Sequence, residues 1–475
     1  MAIDHPDKLY ERVAARLATL IDRGTLRRGD RLPSVRQCSL QEKVSVSTVL
    51  QAYLSLESQG LVEVRPKSGH YVRVRPPLQL SEPRAPRISS APAKVDLAAR
   101  IGQLLRTLRD PGVIQLGSAI VAAELLPVER LNRMLAQIAR SAGPSGVAYD
   151  PPPGYPLLRR QIARCSVAFG CPLAPDEIVT TVGASEALHL ALRAVAKPGE
   201  VVAVESPAYY GLLQLIESLG IRVVEVPVLP GSGMDLDALE EVLRAQKIAA
   251  VLAVPNFSNP SGTRMPDDSK ERLVELLARR EVPLIEDDIY GDLHHAGERP
   301  RPAKAFDTRG LVLLCSSFTK TLAPGYRVGW IAPGRFRDRV LALKFAHTVA
   351  TPTLLQMAVA EFLAAGGYEH HLRRLRRSVA GQVARVSEAV TQSFPKGTRI
   401  SRPTGGFVLW VELPEGKSGL TLAERAMERG VAIAPGLLFS ARERFHGFIR
   451  LSCGQPWSDP LEKALRTLGQ LAHAL

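Results

Sequence analysis

Five short β-like runs, at 201–204, 223–226, 250–254, 283–286 and 311–315, recur between stretches of helical periodicity. Each is strand-sized, and the intervals between them leave room for crossover helices. That alternation predicts a mostly parallel sheet covered by helices, an α/β architecture. From about residue 350 onward, long helical patterns and a few strands predict a smaller C-terminal α/β subdomain. No internal repeat of solenoid period is present. The longest apolar run, 248–255, is far too short to span a membrane.

The first 75 residues follow a different plan. Leu9, Val13, Leu17 and Ile21 recur at helical spacing up to Gly24, and Pro33 opens a second helix running to Lys43. Ser45 then stands where a helix cap belongs. Val49, Ala52, Tyr53 and Leu56 make the apolar stripe of a third helix, closed by Gly60. Val62/Val64 and Val72/Val74 alternate around Pro66-Lys67-Ser68-Gly69, a hairpin signal. Three helices and a two-stranded wing form a winged helix-turn-helix. In such a unit the third helix enters the major groove of double-stranded DNA, so Ser45, Ser47, Thr48 and Gln51 are candidate base contacts. Arg36 and Lys67 are candidate phosphate contacts. Ser45 serves equally well as a simple N-cap.

Residues 76–95 are rich in Pro, Ser and Arg without hydrophobic period, which predicts an extended, mobile linker to a second unit, 96–475. Charge supports a nucleic-acid partner: the chain of 475 residues carries +14. Residues 1–75 hold 13 Lys/Arg against 8 Asp/Glu, so the remainder, 48 against 39, is basic too. Its densest run is Arg373, Arg374, Arg376 and Arg377, read as a solvated helix face or as a contact to phosphate or to an acidic linker. Cys38, Cys165, Cys171, Cys315 and Cys453 are scattered, with no Cys-x-x-Cys pair. That pattern, with no signal-peptide or membrane segment, leads us to expect a reducing cytoplasm and no metal site. Cys315, close to Lys320, reads as strand packing.

The chemistry centres on Lys320, in Ser316-Ser317-Phe318-Thr319-Lys320 with Pro324-Gly325 and Arg327 following. An amine among hydroxyls and a guanidinium is what pyridoxal phosphate (PLP) requires: the amine condenses with the aldehyde while the others hold phosphate. The remaining needs are met in order along the chain. Asp287, at a strand end, can keep the pyridine nitrogen protonated. Tyr290 and Asn259 can donate to the phenolate. Gly183-Ala184-Ser185 opens a helix whose free N–H groups suit phosphate, with Ser317 and Arg327 completing the cradle. Tyr209 can stack on the ring. Taken singly, Asn-Pro-Ser-Gly is a turn and Gly-Ala-Ser a cap. Their joint occurrence carries the reading.

Two resemblances follow from these residues. Leu32-Pro33-Ser34-Val35-Arg36, Val44-Ser45-Val46-Ser47-Thr48-Val49 and Pro66-Lys67-Ser68-Gly69-His70-Tyr71-Val72 resemble the GntR-type winged helix, although Val46 stands where many relatives carry a basic residue. The second unit resembles the class I aminotransferases of PLP fold type I over about 110–475. By that resemblance Lys320 forms the Schiff base and Ala184, Ser185, Ser317 and Arg327 hold phosphate. It also implies that Tyr149 reaches the phosphate of a neighbouring subunit in a homodimer. Arg450 would clamp a substrate α-carboxylate, and Gly405-Gly406 would lie near the ligand. The fusion of the two units resembles the MocR subfamily of GntR regulators, in its YdcR-like branch.

That subfamily implies a bacterial, nucleoid-associated transcriptional regulator. It would sense an amino acid or other amine when that amine displaces Lys320 from its imine. The alternatives are a working aminotransferase carrying a DNA-binding domain, since every catalytic position is filled, and a sensor of PLP itself.

Overall fold

The computed structural model describes residues 9–23, 25–27, 29–58, 61–65, 68–73, 80–85, 91–96, 110, 112–442 and 444–475. Helices α1 (Leu9–Asp22), α2 (Val35–Glu42) and α3 (Val46–Ser58) lead into the wing strands β1 (Val62–Arg65) and β2 (Gly69–Val72), which pair antiparallel. The predicted stripe of α3 is the core: Val49, Ala52, Tyr53 and Leu56 are all fully buried. Burying a side chain of that size contributes about 1.5–3 kcal/mol. Ser34 and Gln37 form a capping box that starts α2, and Lys43 ends it in the left-handed conformation. Lys67 and the Gly24 and Gly60 stops fall outside the described residues.

The second unit opens with β3 (Ile114–Gln115) and continues with β4 (Val179–Val182), β5 (Val201–Ser206), β6 (Arg222–Leu229), β7 (Gly233–Met234), β8 (Ala250–Ala253), β9 (Leu284–Asp287), β10 (Val312–Ser317) and β11 (Val328–Ala332). Strands β4 to β11 form one eight-stranded sheet, ordered β4-β11-β10-β9-β8-β5-β6-β7. Its centre is parallel, from β6 through β5, β8 and β9 to β10. Antiparallel strands close both edges. All five predicted runs are strands of this sheet, and Cys315 is buried within its core.

The smaller subdomain adds β12 (Arg399–Ile400), β13 (Val408–Glu412), β14 (Val431–Ala432), β15 (Ala434–Pro435) and β16 (Phe448–Ser452). Four of these make a sheet, β12-β13-β16-β15, and β14 pairs in parallel with β3. The early segment around residue 115 thus belongs to this subdomain, which the sequence placed wholly after residue 350. A helix at Gly367–Ser393 lays Leu375, Val379, Val383, Val386 and Val390 against the sheet at helical spacing.

The described parts of the linker are docked rather than loose, contrary to expectation. Arg402 donates to Leu80 O (3.1 Å), Ile400 N to Ser81 O (2.9 Å), and Arg84 N to the Glu412 carboxylate (2.9 Å). Farther on, Ala93 exchanges backbone hydrogen bonds with Val223 at the start of β6, and Arg442 donates to Ala91 O (2.6 Å). Proline removes donors but leaves every carbonyl as an acceptor, and arginines of the second unit supply the donors.

Candidate functional site

A cavity of about 290 Å³ opens at the carboxyl ends of the parallel strands, where ligands of open α/β sheets bind. Ala184, Ser185, Tyr209, Asn259, Asp287, Tyr290, Lys320 and Arg327 all line it. Local geometry explains how. β9 ends on Asp287, and β10 runs out at Ser317 into the turn that carries Lys320. The helix Gly183–Val195 starts at the same edge. Gly183 has φ +73°, and a Cβ there would sit 2.3 Å from Arg327 Nη2. Only glycine lets the guanidinium lie against the helix start, so free N–H groups and a cation converge on one anion-sized place. Arg327 is held by Thr319 Oγ1 and Val182 O, each at 3.4 Å.

Lys320 Nζ donates to Ala119 O (2.6 Å). Desolvation, followed by the positive charges of Arg450 and Arg327, brings its pKa down to about 8 against the opposing pull of Asp287. Asp287 is pushed the other way, to about 7, by burial and by the neighbouring Asp288. Its Oδ1 is buried without a hydrogen-bond partner. Asn259 Nδ2 reaches Tyr290 OH at 3.5 Å, and burial raises the Tyr290 phenol. Arg450 is fully buried on β16. One terminal nitrogen donates to Gly117 O, while Nε and Nη1 have no partner.

These unsatisfied atoms test the cofactor reading. A buried carboxylate oxygen without a partner is what a protonated pyridine nitrogen would satisfy. The convergent N–H groups and Arg327 suit a phosphate, and Tyr209 offers a ring face. The residues fit PLP. Arg450 keeps two donors of its fork without a partner.

Four of the selected residues do not line this cavity: Arg450, buried on β16, and Ser317, Gly406 and Tyr149. Ser317 is buried beside it, donating to Val328 O (2.9 Å) and paired with Thr319 Oγ1 (2.6 Å); Thr319 itself lines the cavity. Gly406, with φ +68°, lies beside the ring of Tyr290, where a Cβ would be 4.0 Å from Tyr290 Cδ1. Tyr149 is 81% exposed, beside Val147 at 91%. Sequence reasoning missed Ser118, Ala119, Ile120, Gln214 and Thr319. Thr319 was in view within the lysine motif. The 117–120 segment acts largely through backbone carbonyls, which carry no residue signature.

In the first unit, Arg36, Ser45, Ser47 and Gln51 are exposed and Thr48 is partly so. The Ser45 hydroxyl accepts from Thr48 N (3.2 Å) and bonds the Ser47 and Thr48 hydroxyls, so it caps α3. Gln51 lines a cleft of about 510 Å³ between the winged helix and Gly367–Ser393, facing Arg374 and Arg377. Those two arginines of the basic run therefore look toward the first unit. Arg376 instead donates to Asp292 O (2.7 Å) and pairs with Glu369. The two units also touch directly. Arg73 pairs with Glu388 at 2.9 Å, and Arg385 donates to Glu57 O.

Two family models match the chain. Residues 112–468 match the family model for aminotransferase class I and II, and residues 9–72 match that for bacterial regulatory proteins of the gntR family. The uncharacterized HTH-type transcriptional regulator YdcR of Escherichia coli is 39% identical over 98% of this chain and 99% of its own length. YjiR of the same organism, described in the same words, is 36% identical over 98% of both. Among solved structures, the α-aminoadipate aminotransferase LysN of Thermus thermophilus, complexed with N-(5'-phosphopyridoxyl)-L-leucine, superposes with a TM-score of 0.72. It is 29% identical, covering 80% of this chain and 99% of LysN.

Proposed function

Because this chain belongs to the aminotransferase class I and II family and carries a gntR-family DNA-binding module ahead of it, we propose that it is a transcriptional regulator that reads an amino compound at Lys320. PLP is the cofactor of this family. When bound, it supplies an aldehyde that condenses with primary amines and a ring that withdraws electrons.

The observation that carries the proposal is the helix Gly367–Ser393. Near its start Tyr368 OH bonds Thr321 Oγ1 (2.9 Å) and His371 Nε2 donates to Thr321 O (2.6 Å). Thr321 is the residue after Lys320. Near its end Arg385 and Glu388 hold the winged helix through Glu57 O and Arg73. One rigid element thus touches both the reactive lysine's turn and the DNA-binding module.

The residues' roles follow. With a pKa near 8, Lys320 is partly neutral at physiological pH and can take or give a proton at Nζ. Arg450 binds the α-carboxylate of an amino acid through Nε and Nη1. The 117–120 segment feels both events, because Ala119 O holds Lys320 and Gly117 O holds Arg450. From there Leu116 bonds into the small subdomain, through Ala432 O and Ser452 N. A ligand that binds one arrangement of this subdomain better than another shifts the helix and, with it, the module. Tyr149, exposed in its own chain, would complete the site of a second copy in a homodimer.

A second reading, turnover as an aminotransferase, is favoured by the lowered Lys320 pKa, which suits a general base. The test is operator binding measured with each amino acid added in turn, beside Lys320→Ala and beside assays for 2-oxo acid. The regulator reading expects one amino compound to change DNA affinity in wild type alone, without sustained oxo-acid release. Steady multiple turnover with unchanged DNA affinity would replace it with the enzyme reading.

A further inference from the structure

A second cavity, of about 300 Å³, lies where the docked linker meets both subdomains. It shares no lining residue with the Lys320 cavity. It does use the same two loops, through Pro207 beside Tyr209 and Ser261 beside Asn259. The linker contributes Glu82 and Arg84, the large subdomain Arg264, and the small subdomain Arg402. The wall includes Trp410 and Phe445, both buried in an aromatic cluster with ring centroids 5.6 Å apart.

The charge balance of this cavity has a direction. Among the described residues none of Arg84, Arg264 and Arg402 forms an ion pair with a carboxylate, and the one carboxylate in the lining is Glu82. Arg402 spends a single N–H on Leu80 O, and Arg84 engages Glu412 through its backbone, leaving its guanidinium for another partner. Ser261 Oγ pairs with Ser258 Oγ and Ser401 Oγ accepts from Trp410 N, while Thr263 and Thr404 also line the cavity, so the arginines are its charged donors beside neutral hydroxyls. Three guanidinium groups against one carboxylate, around an aromatic wall, select a small anion with an apolar body. Pockets of this size at domain junctions take single small molecules.

We propose that this cavity is a second, non-covalent site for a small carboxylate with a ring-sized apolar body. Its occupant bridges the linker to both subdomains and so fixes the chain that leads to the DNA-binding module. The site stands whether or not Lys320 senses an amine.

Benzoate is the probe, titrated calorimetrically into the full-length, cofactor-loaded protein, with uncharged benzamide beside it. Expected is saturable binding of one benzoate per chain, retained in Arg450→Ala and weakened at least about tenfold in Arg264→Ala and in Arg402→Ala. Benzamide should bind weakly by the same factor, and benzoate should slow amide hydrogen exchange at residues 80–85. These arginines are exposed, so their loss spares the core, and Arg264→Ala leaves the hold of Arg402 on Leu80 O in place. Absence of saturable benzoate binding overturns the proposal. So does binding that Arg450→Ala abolishes while the other variants keep it, because the probe then sits on the α-carboxylate clamp. Unchanged exchange at 80–85 on saturation overturns the bridging role.

Discussion

The winged helix and the cofactor domain handle polar groups in opposite ways. In the first, Arg36, Ser45, Ser47 and Gln51 sit exposed and Thr48 partly so, and Ser45 bonds locally. In the second, Asp287, Asn259 and Arg450 hold buried polar atoms without partners. A surface that reads DNA can stay solvated until its partner arrives. A site that binds a small molecule inside the fold keeps desolvated groups unsatisfied, and stability is sacrificed there for ligand affinity.

Replacing Arg450 should expose this contrast most strongly. Arg450→Met removes a buried cation with two idle donors, so the protein should gain about 1–4 kcal/mol of stability in chemical denaturation. The same change should weaken the response to an α-amino acid by about a hundredfold, since each charge-assisted hydrogen bond is worth about 1.5–3 kcal/mol. Stability that falls instead would mean the arginine is structural.

Lysine reactivity sharpens the comparison next. Because burial and two guanidinium groups depress the Lys320 pKa to about 8, trace acetylation of its amine should rise about tenfold per pH unit at low pH and level off above about 8.5. Exposed lysines should keep climbing toward pH 10. In Arg450→Met the plateau should move to higher pH, since one depressing charge is gone. The stability linkage has a fixed sign. Below pH 8 both folded and unfolded chains carry the proton and the burial cost is complete. Between 8 and the ordinary value of 10.5 only the unfolded chain binds it, so stability rises with pH across that window. A plateau near pH 10 in wild type would contradict the burial argument.

The smallest effect belongs to the first unit. Ser45→Ala should cost about 1 kcal/mol in thermal stability of the module through loss of the α3 cap. DNA affinity of the fully folded protein should change little if Ser45 only caps. A loss of sequence preference larger than the stability effect would restore it as a base contact.

Much of this was legible in the chain because it rests on local pattern. The α3 stripe, the five strands of the large sheet, and the lysine, aspartate and glycine signals each sit in a window of a few residues. What escaped depends on distant or backbone partners. Ala119 O and Gly117 O work through carbonyls that any residue supplies. The small subdomain recruits β3 from more than 300 residues before its partner β14. The linker reads as mobile from its prolines, yet Arg399, Arg402 and Arg442 pin its carbonyls from elsewhere in the chain. The cleft at Gln51 exists only because a helix centred near residue 380 folds against α3.

The central claim is that the helix Gly367–Ser393 transmits ligand occupancy to the DNA-binding module. Its most direct measurement is operator affinity with and without the responsive amino compound, in wild type and in the Arg385→Ala/Glu388→Ala double variant, with cofactor absorbance followed in parallel. The account predicts that the double variant still answers the ligand spectrally while the ligand-dependent change in DNA affinity, expected at about 5- to 150-fold in wild type, largely disappears. A full change in DNA affinity in that variant would contradict it.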